Sequence, residues 1–184
     1  IISEDEFPRP GTELEKLASM RALNPDGVTT AANASGVNDG AVAMMVASLA
    51  AGEKAGQKPI ARILSSGVAG VAPRIMGYGP VPAAEIALKR AGLTMADMDV
   101  IEINEAFAAQ VLACMKGMGL AFDDSRVNPN GGAITVGHPL GASGPRIALT
   151  AARQLERIQG RYALVSMCIG MGQGIAMIME RPQL

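Results

Sequence analysis

The chain has 184 residues, 49% hydrophobic and 18% charged, with a formal net charge of −1, a balance that describes a folded globule and excludes a disordered tail. A chain of this length buries roughly two-thirds of its unfolded surface, so its core needs neither metals nor disulfides. Aromatic residues make up 3% and positive charge is scattered, which leaves no phosphate-tracking groove or base-stacking platform and argues against nucleic acid as a partner.

Residues 1 to about 37 read as irregular: Pro8, Pro10 and Gly11, a short helical stretch "TELEKLASM", then the turn "NPDG" from Asn24 to Gly27. From Gly40 the character changes. "AVAMMVAS" is a continuous apolar run short enough for a strand buried on both faces, and "LAAGEKAG" behind it is a helix closed by Gly56. "ARILSSGVAG" reads as a second strand. "PVPAAEIALKRAG", with Pro82 in its first turn and Gly92 past its end, is a well-signed helix. "DVIEIN" is a third strand, followed by a helix from about Glu105 to Met118. Beyond a glycine-rich stretch come the helix "PRIALTAARQLERIQG" and two apolar strands, "RYALVSMCIG" and "GIAMIMER". This order predicts an α/β layered domain with a mixed, mostly parallel sheet of five strands.

The helix "EAFAAQVLACMKGM" is apolar nearly all round, which calls for burial on both faces and for something outside a one-sheet domain to cover it. No apolar run reaches the eighteen or so residues of a membrane span, and "IISEDEFPRP" lacks the basic-then-apolar layout of a signal peptide, so a cytoplasmic location is expected and a membrane partner is not. Cys114 and Cys168 are too few for a disulfide framework. A first residue other than Met suggests a fragment, a processed chain or a deliberately trimmed one.

Four stretches could carry chemistry. The only histidine, His138, sits in "NPNGGAITVGHPLGASGPRI" among Gly131, Gly132, Gly137, Gly141 and Gly144, where backbone can approach a ligand closely. It is either a structural histidine or an acid, base or hydrogen-bond donor. "GASGPRIAL" presents free N–H groups at a helix start, yet it lacks the endings of a P-loop or a dinucleotide fingerprint. Cys168 lies where a strand enters "IGMGQG". It is an ordinary buried cysteine or a reactive group beside N–H donors at Gly170, and reactivity would require a nearby histidine. Asn104 in "NEAFAAQ" is either a helix N-cap or an amide that holds a water or a carbonyl. Ser35 in "NASGVNDG" is a turn residue or a hydrogen-bond donor to a ligand. Cys114, mid-helix, reads as core.

Together "NASGVNDGA", "MGYGPVPA", "INEAFAAQ", "NPNGGAITVGHPLGASGPRI" and "CIGMGQG" resemble the thiolases in family order over nearly the whole chain, and the chain looks like the C-terminal half of one, nearest the β-ketoadipyl-CoA thiolase and acetyl-CoA acetyltransferase types. The resemblance implies a βαβαβαββ domain over residues 38–184, with residues 1–37 the tail of the family's loop domain. It implies coenzyme A or acetyl-CoA as substrate, with no permanently bound cofactor and no metal, and an N-terminal half and further copies as partners in a dimer or tetramer. His138 would lower the pKa of a nucleophilic cysteine and, with a water held by Asn104, form an oxyanion hole. Cys168 would be the acid/base and the Gly170 N–H part of a second oxyanion hole. Ser35 and Ala31 would contact the pantetheine arm, and Met76 and Phe107 would line the acyl pocket. Two departures stand out. Ala32 replaces an expected glycine, and neither cysteine matches the family's nucleophile, which belongs to the N-terminal half; the chain alone is therefore expected to be inactive. A non-catalytic CoA-binding module and a hydrolase with Cys168 as nucleophile are the competing readings.

Overall fold

The computed structural model describes residues 2–182. Four strands, β1 (Arg62–Gly70), β2 (Val100–Ile103), β3 (Tyr162–Ile169) and β4 (Gln173–Glu180), form one sheet in the order β1-β4-β3-β2. β4 runs antiparallel to both β1 and β3, and β2 is parallel to β3. The helices are α1 (Leu14–Ala18), α2 (Leu49–Lys54), α3 (Pro80–Ala91), α4 (Ala108–Gly117), α5 (Ala133–Val136) and α6 (Leu140–Ile158).

Alternation along the strands sorts the core into two layers. Ile101, Leu164 and Ile178 face α3 and α4, meeting Ala84, Leu88, Val111 and Cys114. Val100, Ala163, Val165 and Met179 face α6, meeting Ile147, Ala151 and Leu155. Small residues let α3 lie close on the sheet: a Cβ on Gly67 of β1 would strike the backbone of Ala83 and Ala87. α3 begins with Pro80 and Pro82 in its first turn and stops at Gly92, whose φ of +68° no side chain adopts cheaply.

The α/β layering stands, but the sheet has four strands in place of the expected five, and two of its three pairings are antiparallel. The missing strand is "AVAMMVAS". Residues 41–48 are irregular, with Met45 88% exposed, because the sheet's edges are β1 and β2 and neither receives this segment. An apolar run satisfies its backbone as a strand only when a neighbour offers a ladder.

Two helix boundaries also differ. α6 begins five residues before the expected Pro145, since Ala142 and Ser143 are buried and hold the first turn. Pro145 removes one bond, to the carbonyl of exposed Gly141, which water can satisfy. α4 starts at Ala108 with Phe107 as its N-cap, so the capping reading of Asn104 is overturned. The outer face of α4 keeps Leu112 43% exposed in this chain.

Candidate active site

Asn104 follows β2 directly, and its N–H donates to Ser166 O of β3 at 2.9 Å, so the end of the parallel pair fixes its backbone. Asn128 secures the free edge. Its side chain accepts from Ile103 N–H (2.9 Å) and donates to Ile103 O (3.0 Å), standing in for a neighbouring strand. Glu105 then accepts from Ile134 N–H (3.1 Å), tying the turn after β2 to α5.

α5 delivers the chain to Gly137, whose φ of +88° turns it toward α6. His138 follows. Its N–H donates to Asn38 Oδ1 (3.0 Å), and Arg146 of α6 donates to Gly137 O (2.8 Å). The ring is held at both nitrogens: Nε2 is 3.2 Å from Asn104 Nδ2 and Nδ1 is 2.6 Å from Ser143 Oγ. Burial and the neighbouring Arg146 cation push the imidazole pKa below its ordinary 6.5, so the ring is neutral at neutral pH.

Cys168 sits near the end of β3. Ile103 is opposite Ser166, so one strand spacing of about 4.8 Å and one residue of rise place the Cα atoms of Asn104 and Cys168 about 6 Å apart. Burial raises the Cys168 pKa, partly offset by a hydrogen bond with its own backbone, so the group is a thiol at neutral pH. It shares no hydrogen bond with His138 among the described residues. Gly170, just beyond, is exposed with open space where a Cβ would stand, leaving its backbone approachable. Cys114 is separate. It donates to Gly77 O (3.2 Å) from inside α4 and is pushed up to about 11 by burial, which makes it core.

The segment 30–38 lies against this site. Ser35 N–H donates to Ala106 O and Ala108 N–H to Asn33 O, each at 2.9 Å; Ala34 bridges Phe107 and Val37 bridges His138. Ser35 and Phe107 are thus half-buried beside the Asn104 turn, while Ala31, four residues before Ser35, is exposed. Met76 is half-buried in the turn Pro73–Tyr78, whose Gly77 packs on Gln110 of α4. A groove of about 380 Å³ runs between residues 38–42 and Pro139–Ala142.

Asn38, Glu102, Ser143 and Arg146 are members that sequence reading missed. Glu102 carried a signal, a carboxylate inside the apolar strand "VIEI". Glu102 is 2% exposed, its Oε1 and the Oδ1 of Asn104 have no partner, and both residues line a cavity of about 170 Å³ with Arg146. Ser143 gave no signal, because its partner is a ring five residues back across a loop.

This geometry has counterparts in known proteins. Residues 57–181 match the family model "Thiolase, C-terminal domain", and residues 1–50 match "Thiolase, N-terminal domain". The chain belongs to the thiolase family. The division expected at residue 37 lies upstream of the seam between the two matches. A β-ketoadipyl-CoA thiolase of Acinetobacter baylyi is 57% identical over 182 residues, covering 98% of this chain and 45% of that protein. The 3-oxoadipyl-CoA/3-oxo-5,6-dehydrosuberyl-CoA thiolase of Escherichia coli K12 is 58% identical over 181 residues, again 98% and 45%. Among solved structures, human mitochondrial 3-ketoacyl-CoA thiolase in complex with CoA superposes with a TM-score of 0.92 at 50% identity, over 98% of this chain and 46% of that one. The chain thus spans about half the length of the thiolases it matches. No helix among the described residues is long and apolar enough to cross a membrane.

Proposed function

We propose that this chain is the C-terminal part of a thiolase that moves an acyl group to or from coenzyme A, by thiolysis of a 3-ketoacyl-CoA or by the reverse Claisen condensation. The observation that carries the reading is the Asn104–His138 contact at 3.2 Å, with the Cys168 backbone about 6 Å away. Both directions pass through a carbanion beside a thioester, accessible only where fixed donors stabilise charge on the carbonyl oxygen in a water-poor site. His138 Nε2 and a water held by Asn104 supply such donors. Cys168, a thiol at neutral pH, suits the proton donated to departing acetyl-CoA and, as thiolate, the base for the α-proton. The open backbone at Gly170 suits a second oxyanion hole.

The acyl-enzyme nucleophile comes, in this reading, from an N-terminal half, since Cys114 is a buried core thiol and Cys168 is occupied as acid/base. Ser35 and Ala31 flank the path for the pantetheine arm, and Met76 and Phe107 face the acyl group. The exposed run at residues 41–48 and the outer face of α4 pack against the N-terminal half, in an oligomer in the cytoplasm. The named relatives point to 3-oxoadipyl-CoA as the first substrate to assay. We assign residues 38–184 to the C-terminal domain and 1–37 to the loop-domain tail, although the two family matches meet between residues 50 and 57.

Thiolysis of 3-oxoadipyl-CoA should be undetectable with the 184-residue chain and appear on assembly with a thiolase N-terminal half. Cleavage by the chain alone would sink the reading. Retained CoA binding with unaltered turnover after His138→Ala or Cys168→Ser would instead favour a non-catalytic module.

A further inference from the structure

Ser143 is fully buried in the first turn of α6, and its one hydroxyl meets two groups: Nδ1 of His138 at 2.6 Å and the carbonyl of Pro139 at 3.1 Å. A hydroxyl carries a single proton. Spent on the Pro139 carbonyl, four residues back in the helix, it leaves Ser143 Oγ able only to accept from the ring. Nδ1 then carries the imidazole proton and Nε2 carries a lone pair. Asn104 fits at the other end, because the atom facing Nε2 is its amide nitrogen, a donor, at 3.2 Å.

We infer that Ser143 is a positioning residue that fixes His138 in the Nδ1–H tautomer, with Nε2 unprotonated in the resting site. The titratable groups near the ring are Arg146, which donates to Gly137 O, and, beyond it, Glu102, which lines a cavity with Arg146 and Asn104. No carboxylate touches Nδ1 among the described residues, and burial with the Arg146 cation disfavours the charged ring. The catalytic meaning rests on the thiolase reading: a bare Nε2 accepts the proton of a thiol, the S–H bond breaking as an N–H bond forms. The products are a thiolate and an imidazolium whose Nε2–H then faces the thioester oxygen. The opposite tautomer cannot take that proton at Nε2.

His138 is the only histidine of the chain, so 15N-histidine labelling of the 184-residue protein yields one imidazole spectrum. At neutral pH the nitrogen shifts should show a protonated Nδ1 and an unprotonated Nε2. A proton on Nε2, or equal averaged shifts, overturns the inference, and this wild-type spectrum decides it even if the variants fold poorly. Ser143→Ala should move the shifts toward an average of tautomers, and Ser143→Cys should restore part of the difference. In the assembled protein, Ser143→Ala should lower kcat at least tenfold with KM changed less than about twofold; an unchanged kcat overturns the catalytic role. If the assembled wild type cleaves no 3-ketoacyl-CoA, the proposed function fails while the wild-type spectrum still decides the tautomer.

Discussion

Asn104 and His138, 34 residues apart in sequence, meet with Nδ2 and Nε2 separated by 3.2 Å, and each reaches that point on a different support. Asn104 is carried by the β2–β3 pair and His138 by the turn at Gly137. Removing the amide should therefore leave the ring in place, since its Nδ1 contact and backbone bonds lie elsewhere. Asn104→Ala is expected to lower kcat of the assembled protein by about 10²–10³-fold, the usual effect of losing an oxyanion donor, with little change in KM. Steady-state thiolysis kinetics check this.

Glu102 makes stability depend on pH. Burial pushes its carboxyl up to about 7 from an ordinary 4.5, with Arg146 opposing the shift. Between those values the folded chain binds more protons than the unfolded one, so stability falls as pH rises from about 4.5 through 7, by on the order of 3 kcal/mol. His138 acts the other way. Its ring resists protonation when folded, so stability falls as pH drops below 6.5. Glu102→Gln should abolish the loss on the alkaline side and leave the histidine limb, as read by urea unfolding of the 184-residue chain across this range.

Two glycines flanking His138 should respond with opposite signs. At Gly137 the φ of +88° is costly for any side chain, and an added Cβ would stand 2.8 Å from the Asn38 side chain that anchors His138. Gly137→Ala is expected to destabilise the protein by about 1–3 kcal/mol. Gly141, in the first turn of α6, has nothing within 4 Å of an added Cβ. Gly141→Ala should stabilise by roughly 0.5–1 kcal/mol through helix propensity. Denaturant midpoints of the two variants test the contrast.

Cys168→Ser should separate the two halves of the reaction. On the proposed function the acyl-enzyme forms on an N-terminal half, so intact-mass analysis of the assembled variant with an acyl-CoA donor should still find the acylated protein. Turnover should fall by at least about a hundredfold, because a serine hydroxyl is a far weaker acid than the thiol and supplies almost no conjugate base at neutral pH.

The two-layer core and most elements were legible in the sequence, because α3 and the four strands carry strong periodicity and clear punctuation at Pro80, Pro82 and Gly92. The apolar run at 41–48 misled, since apolarity marks a strand that wants a sheet but says nothing of whose sheet. Asn104 reads equally as a cap or a site residue from local sequence; the helix start at Ala108 removes the cap reading, and the contact with His138 supports the other. Ser143 and Asn38 were hidden for the same reason. Each acts across a turn whose geometry depends on a φ at Gly137 that composition permits but does not dictate. Glu102 was visible as an oddity in β2, without the cavity that gives it meaning.

The account stands most directly on where a thioester oxygen sits. A crystal structure of the assembled protein with a bound acyl-CoA should place that oxygen about 2.7–3.1 Å from Nε2 of His138, with a water on Asn104 completing the pair of donors. A thioester oxygen bound away from both residues, with Nε2 still facing only the Asn104 amide, would contradict it.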